Sequence, residues 1–248
     1  MALLFLKKFN LTFSFNFTWR GDIAVLFAFV FFGHFSNLVN LLNYRLDRWL
    51  VEAWRGAAEL GFYTVAVGLS ENFLFGSKTF STVLFPFFSS QASHDKFEQL
   101  SFFSRINFTV VLTALVAMFL VADFIVPFIY GSAFVLSITP LKILIPGVLI
   151  SALSSPFSAY IAANNLVKYN LFAVLAGLVV TVSLDILLIP ELGIIGASIA
   201  SISAYFIKDV VVFSVFFFRL KAPFKNYFFM NRQDVKLVVQ KLRSIFKS

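Results

Sequence analysis

Long apolar stretches alternate with short polar ones from Asp22 to Arg219, and the spacing predicts six membrane-crossing helices arranged as three hairpins. The stretches are Ile23 to Tyr44, Leu60 to Ser90, Ile106 to Tyr130, Ser137 to Asn164, Tyr169 to Pro190 and Leu192 to Phe218. The first holds no formally charged residue in 22 positions. At about 1.5 Å per residue it reaches roughly 33 Å, enough to cross a bilayer. The longer stretches imply tilt, bends or helix beyond the lipid. Arg45 to Glu59, Gln91 to Arg105, Gly131 to Leu136, Leu166 to Lys168 and Glu191 read as the connections. Pro190-Glu191-Leu192-Gly193 has the residues of a tight reversal. Pro86, Pro127, Pro146 and Pro156 fall inside or near the ends of spans, where neighbouring helices must satisfy the carbonyls they free. The fold class is therefore all-α and polytopic.

Composition excludes other classes. The 248 residues are 60% hydrophobic and 13% charged, whereas a soluble domain carries about a quarter charged residues. A soluble globular domain, a disordered chain, a coiled coil and a nucleic-acid-binding domain are all ruled out on that basis. There is no cysteine, which removes disulfides, thiolate nucleophiles and cysteine-ligated metals, and His34 and His94 are too few for a histidine metal cluster. No serine sits in a nucleophile elbow and no carboxylate pair sits beside a histidine, so neither an enzyme nor a bound cofactor is expected.

The net charge of +8 matters through its distribution. Fourteen Lys and Arg fall on the side of the two termini, eight of them after Phe218, against four on the other side: Arg45, Arg48, Arg55 and Lys142. The positive-inside rule places both termini in the cytoplasm. Three units follow: an interfacial segment over 1–21, a six-helix lobe over 22–219, and a basic amphipathic tail over 220–248.

Charges at bilayer depth cost at least about 2.5–3.5 kcal/mol each, so each needs a partner or a wet cavity. The spans hold Glu71, Lys78, Asp123, Lys142, Asp185, Lys208 and Asp209. Glu71 and Lys78 lie seven apart on one helical face, and a structural ion pair and a transport role both fit them. Ser198, Ser201, Tyr205 and Lys208 form one polar stripe, and Ser36, Asn40, Asn43 and Asp47 form another. A hydrated cavity accounts for both stripes; polar helix packing accounts for the serines alone.

Asn43-Tyr44-Arg45-Leu46-Asp47-Arg48 followed by Gly61-Phe62-Tyr63-Thr64-Val65-Ala66 resembles the start of the second lobe in polysaccharide exporters. Leu84-Phe85-Pro86, Tyr130-Gly131-Ser132-Ala133-Phe134, Ala162-Ala163-Asn164 and the run from Ile189 to Ala200 follow in the order that family shows. These are the lipid-linked oligosaccharide (O-antigen type) flippases of the multidrug/oligosaccharidyl-lipid/polysaccharide exporter superfamily. The resemblance implies one lobe of a two-lobe exporter of the bacterial inner membrane, with a cavity that takes the glycan and pyrophosphate head while the polyprenyl tail stays in lipid.

Arg45, Arg48, Lys142, Lys208 and Tyr205 are the residues expected on the substrate. Glu71, Asp123, Asp185 and Asp209 are expected to balance charge or couple to protons or sodium. Depth and charge pick these residues, not a motif. The partners expected are a polyprenyl-linked oligosaccharide, membrane lipid, and an N-terminal lobe or a second copy; no nucleic acid is expected. A multidrug exporter of the same superfamily and a membrane-embedded glycan polymerase or acyltransferase are the alternatives. The arginines and lysines argue against the first, and the tiny Gly131 to Leu136 and Glu191 connections against the second.

Overall fold

The computed structural model describes residues 21–89, 96–222, 227–231 and 234. Its helices are α1 (Gly21–Ser89), α2 (Lys96–Tyr130), α3 (Ile138–Ala163), α4 (Val167–Leu192) and α5 (Ile194–Ser214). A short 3-10 helix, Ser132–Ser137, joins α2 to α3, and a π-helical turn, Val215–Arg219, closes α5. Among the described residues five helices are long and apolar enough to cross a membrane. The interfacial segment before Gly21 and the predicted tail helix after Asp234 lie outside the described residues.

The first helix is broken at Gly56, whose φ of 84° and ψ of 173° only glycine adopts without strain. Contacts nest around that point: Asp47 with Tyr63, Arg48 with Glu71, Tyr44 with Lys78, Phe29 with Phe85. The two arms, residues 21–55 and 57–89, therefore run antiparallel as a helical hairpin. Where a polar loop was expected over Arg45 to Glu59, the chain stays helical on both sides of one glycine. Arg55 and Glu59, on either side of that glycine, pair at 3.0 Å across the break.

This end of the bundle meets the α4–α5 turn. A Cβ on Gly193 would fall 2.6 Å from Glu59 Oε2, so the turn and the ion pair fit together only with glycine there. At the opposite end, where α5 runs out into the tail, Phe88 meets Tyr160 edge to face at 5.4 Å and Phe97 meets Phe216 in the same way at 6.2 Å. The bundle thus has a Gly56 end and a tail end.

The middle of the bundle is α3, the most buried of the five helices, which packs on both arms of α1 and on α5. Close approach follows from small residues. A Cβ on Gly147 would lie 2.8 Å from Ile202 Cγ1, and one on Gly177 would lie 3.3 Å from the Ala204 carbonyl. On Gly196 it would run into the Leu188 carbonyl, so α4 and α5 touch backbone to backbone just after their turn. Ala197 and Ala200 are fully buried there.

Pro156 has no N–H to give Ala152, and the freed carbonyl is taken by other helices. Asn107 Nδ2 of α2 donates to it at 2.8 Å, and Ser77 Oγ of α1 lies 2.8 Å from it and 3.0 Å from Asn107 Oδ1. Three helices are thus tied through one proline. Asn107→Leu should lower the stability of the lobe by about 1–2 kcal/mol, because the carbonyl loses a donor in a place water does not reach. A thermal melt of the purified protein in detergent checks this, and an unchanged midpoint would show that the proline needs no such support.

Candidate functional site

The two polar stripes predicted on the first and last spans face one another. Asn40, Asn43 and Asp47 of the first arm meet Ser201, Tyr205 and Lys208 of α5 across a cleft of about 20 Å³, closed further by Tyr44, Thr181 and Ala204. That volume suits about one ordered water. Ser198, the other end of the α5 stripe, is fully buried and donates to the Ile194 carbonyl.

From Asn40 and Lys208 the cleft passes into a larger cavity of about 460 Å³. The polar part of its wall is Ser36, Asn37 and Asn40 of the first arm, Lys78, Ser81 and Thr82 of the second, Ser151, Ser154, Ser155 and Ser158 of α3, Asn170 of α4, and Lys208 of α5; the rest is apolar, from Phe29 and Phe85 to Val174 and Val212. Asn37, Lys78 and Thr82 are exposed, which marks the mouth between the two arms of α1. Phe29 and Phe85, with ring centroids 6.1 Å apart, span the arms beside it. The wall carries two ammonium groups, many hydroxyls and amides, and no carboxylate.

A charge cluster lies behind that wall. Asp209 is fully buried; it accepts from Ser151 Oγ at 2.7 Å and from Ser154 Oγ, and stands 3.3 Å from Lys208 Nζ. Lys208 Nζ also donates to Ser151 Oγ at 2.9 Å and sits 5.4 Å above the centre of the Tyr205 ring. The carboxylate and two serines hold the ammonium in place and leave it on the cavity surface. Lys78 Nζ is oriented in the same way from the other wall, by the Tyr44 hydroxyl at 2.8 Å.

Toward the Gly56 end, Asp47 accepts from Tyr63 Oη at 2.8 Å and from the Arg48 N–H at 2.7 Å, and Tyr63 Oη lies 3.1 Å from Ser201 Oγ. Arg48 reaches Glu71 at 3.4 Å, joining the arms. Asp185 of α4 is fully buried, and neither of its carboxylate oxygens has a hydrogen-bond partner among the described residues. Asn43 Oδ1, an acceptor in the cleft, is in the same condition.

Of the residues singled out in the sequence, Tyr205 and Lys208 line the cleft, Lys208 also lines the cavity, and Asp209 supports them. Arg48 and Glu71 pair with each other, and Arg45 is exposed. Lys142 and Asp123 stand apart: they pair at 2.7 Å between α3 and α2, with Asp123 two-thirds exposed, and line neither space. Sequence reasoning passed over Lys78 as a ligand contact and the serines of α3 altogether. Ser151, Ser154, Ser155 and Ser158 are spaced by three, four and seven, one helical face that was legible in the sequence.

No curated protein matches this chain. Two solved structures share its fold. One is a transporter of the MOP superfamily from Pyrococcus furiosus, 14% identical with a TM-score of 0.62 over 81% of this chain. The other is a multidrug resistance MATE family transporter of the MOP superfamily in an outward-facing conformation, 16% identical with a TM-score of 0.59 over 82%. The matches take up 45% and 47% of those chains, so this one spans about half their length. The all-helical fold expected from the sequence is thus found, and it is the fold these two structures share. The family described as polysaccharide biosynthesis protein matches residues 1–139, more than half of the sequence, and the chain belongs to that family.

Proposed function

We propose that this protein is one lobe of an exporter that carries a lipid-linked oligosaccharide across the bacterial inner membrane. The observation behind this reading is the cavity wall, where Lys78 and Lys208 face a space of about 460 Å³ lined by serines, Thr82 and asparagines together with apolar side chains such as Phe29, Phe85, Val174 and Val212. Ammonium groups in a low-dielectric wall attract a diphosphate, and hydroxyls and amides exchange hydrogen bonds with sugar. The volume lies in the range of ligand sites, about 300–1,000 Å³. It suits the head nearest the lipid, with the polyprenyl tail leaving through the mouth between the arms.

Alternating access needs a second body facing this one. An N-terminal lobe or a second copy fills that role, in keeping with a chain that spans about half the length of its structural neighbours. Asp185, a buried carboxyl without a hydrogen-bond partner among the described residues, is the position we assign to proton or sodium coupling. A multidrug exporter, as one of the neighbours is described, is the second reading. Two lysines on the wall make it a poor host for organic cations.

Binding of a short-chain polyprenyl diphosphate sugar to the purified protein tests the reading. Lys78→Met with Lys208→Met should weaken it at least tenfold, as expected for two lost charge-assisted contacts. Equal affinity in the variant would end the proposal.

Orientation has its own test, because the protein contains no cysteine. With both termini in the cytoplasm, Ala53→Cys and Ser132→Cys should react with an impermeant thiol reagent added outside cells, and Ser93→Cys and Lys247→Cys should not. Outside labelling at position 247 would reverse the assignment.

A further inference from the structure

Helix α2 packs along α3 and has almost no contact with α5. The chain that follows α5 nevertheless returns to α2 and is fastened there. Arg105 of α2 meets Asp234 through two parallel contacts, Nε to Oδ2 at 2.7 Å and Nη2 to Oδ1 at 2.8 Å. Their side chains are only 12% and 4% exposed. Asp234 is held in turn: its carboxylate accepts the Asn231 N–H at 2.9 Å, and its own N–H donates to Asn231 Oδ1 at 2.9 Å. A two-pronged arginine–carboxylate contact removed from water is directional and little screened by salt.

Between the end of α5 and that pair, Tyr227 is fully buried. Its ring lies 5.3 Å from Phe157 and 5.6 Å from Phe216, and its hydroxyl is close to Ser101 of α2. Ser101 Oγ donates to the Phe97 carbonyl at 2.6 Å. The other side of this aromatic cluster is the cavity. Ser154, Ser155 and Ser158, which flank Phe157 in α3, are wall residues, and so is Val212, one turn before Phe216.

We propose that residues 227–231 and Asp234 form a latch that joins the tail ends of α2 and α5 and shuts the cavity from that end, with Arg105–Asp234 as its fastening. While the pair holds, Tyr227 fills the space between Phe157, Phe216 and Ser101, and a path from the tail end to the serine wall is blocked by rings. When it opens, Tyr227 loses its anchor and the path is freed. The inference rests on the geometry of the lobe alone and is independent of what the cavity carries.

The test uses single cysteines in the full-length protein, purified in detergent, and the rate of reaction with a polar thiol reagent. Ser101→Cys reports the seat of Tyr227, Ser158→Cys the cavity wall, and Ser137→Cys, fully buried toward the Gly56 end, the integrity of the fold. Adding Asp234→Asn should speed the first at least tenfold and the second severalfold, and leave the third unchanged. An unchanged Ser101→Cys rate overturns the latch. A faster Ser101→Cys with an unchanged Ser158→Cys overturns its role as the seal. If Ser137→Cys also speeds up, Asp234→Asn has loosened the whole lobe and the milder Arg105→Lys is read instead. That variant keeps the charge and loses the two-pronged contact, so the same two rates must rise with Ser137→Cys unchanged, and any other result overturns the proposal.

Discussion

Asp209→Ala should destabilise the lobe by about 3–5 kcal/mol, the usual cost of removing one partner from a buried ion pair. The carboxylate is fully buried and holds Ser151, Ser154 and Lys208 together. Without it an ammonium and two hydroxyls are left in a wall with nothing to neutralise them. At about 2–4 °C per kcal/mol for a chain of this size, the melting midpoint should fall by roughly 6–20 °C. Asp209→Asn keeps an acceptor for one serine and should fall between the two. Combining Asp209→Ala with Lys208→Met should recover much of the loss, because no charge is then stranded. A thermal melt of all three variants decides it. If the double variant is no better than the single one, the two side chains do not act as a pair and the wall is held by something else.

The second large effect has the opposite sign. Asp185→Leu should make the lobe more stable, because a buried carboxyl without a hydrogen-bond partner costs about 1–3 kcal/mol by mutational measures. A gain of about 2 kcal/mol corresponds to a rise in midpoint of roughly 4–8 °C. Transport by the assembled exporter should drop at least tenfold in the same variant if Asp185 couples the ion. A residue that weakens the fold and is required for activity is what a stability–activity trade-off produces. A lower midpoint in Asp185→Leu would mean that the carboxyl is satisfied in the membrane. A higher midpoint with full transport would leave Asp185 without a coupling role.

The spans were legible because hydrophobic length is set by the bilayer, and the two polar stripes because the helical period is fixed. Asn40, Asn43 and Asp47 do face Ser201, Tyr205 and Lys208 across the cleft, whereas Ser36 lines the larger cavity and Ser198 is buried. Depth alone, however, says nothing about which way round a helix a side chain lies. Lys142 and Asp123 have the right depth, yet they pair on a lateral face and line neither space. Lys78 has the same credentials and does line the cavity. The stretch from Arg45 to Glu59 reads as a loop because it is charged, but Glu, Ala, Leu, Trp and Arg are compatible with helix, and one glycine is enough to turn the chain. Arg105 and Asp234 stand 129 residues apart, and no local pattern signals a contact at that distance.

The reversal at Gly56 bears on how the protein is made. The α1 hairpin is the least buried of the helices and carries Asp47, Arg48, Glu71 and Lys78. The first arm has 22 uncharged positions, Ile23 to Tyr44, ahead of Asp47 and Arg48, whereas the second carries Glu71 and Lys78 within its apolar stretch. The charges of each are matched on the other, Asp47 by Tyr63, Arg48 by Glu71 and Lys78 by Tyr44. The first arm is made first and has an apolar stretch that can enter lipid by itself, so that Arg48 and Tyr44 are already in place to receive Glu71 and Lys78 when the second arm, the costlier of the two to insert, follows.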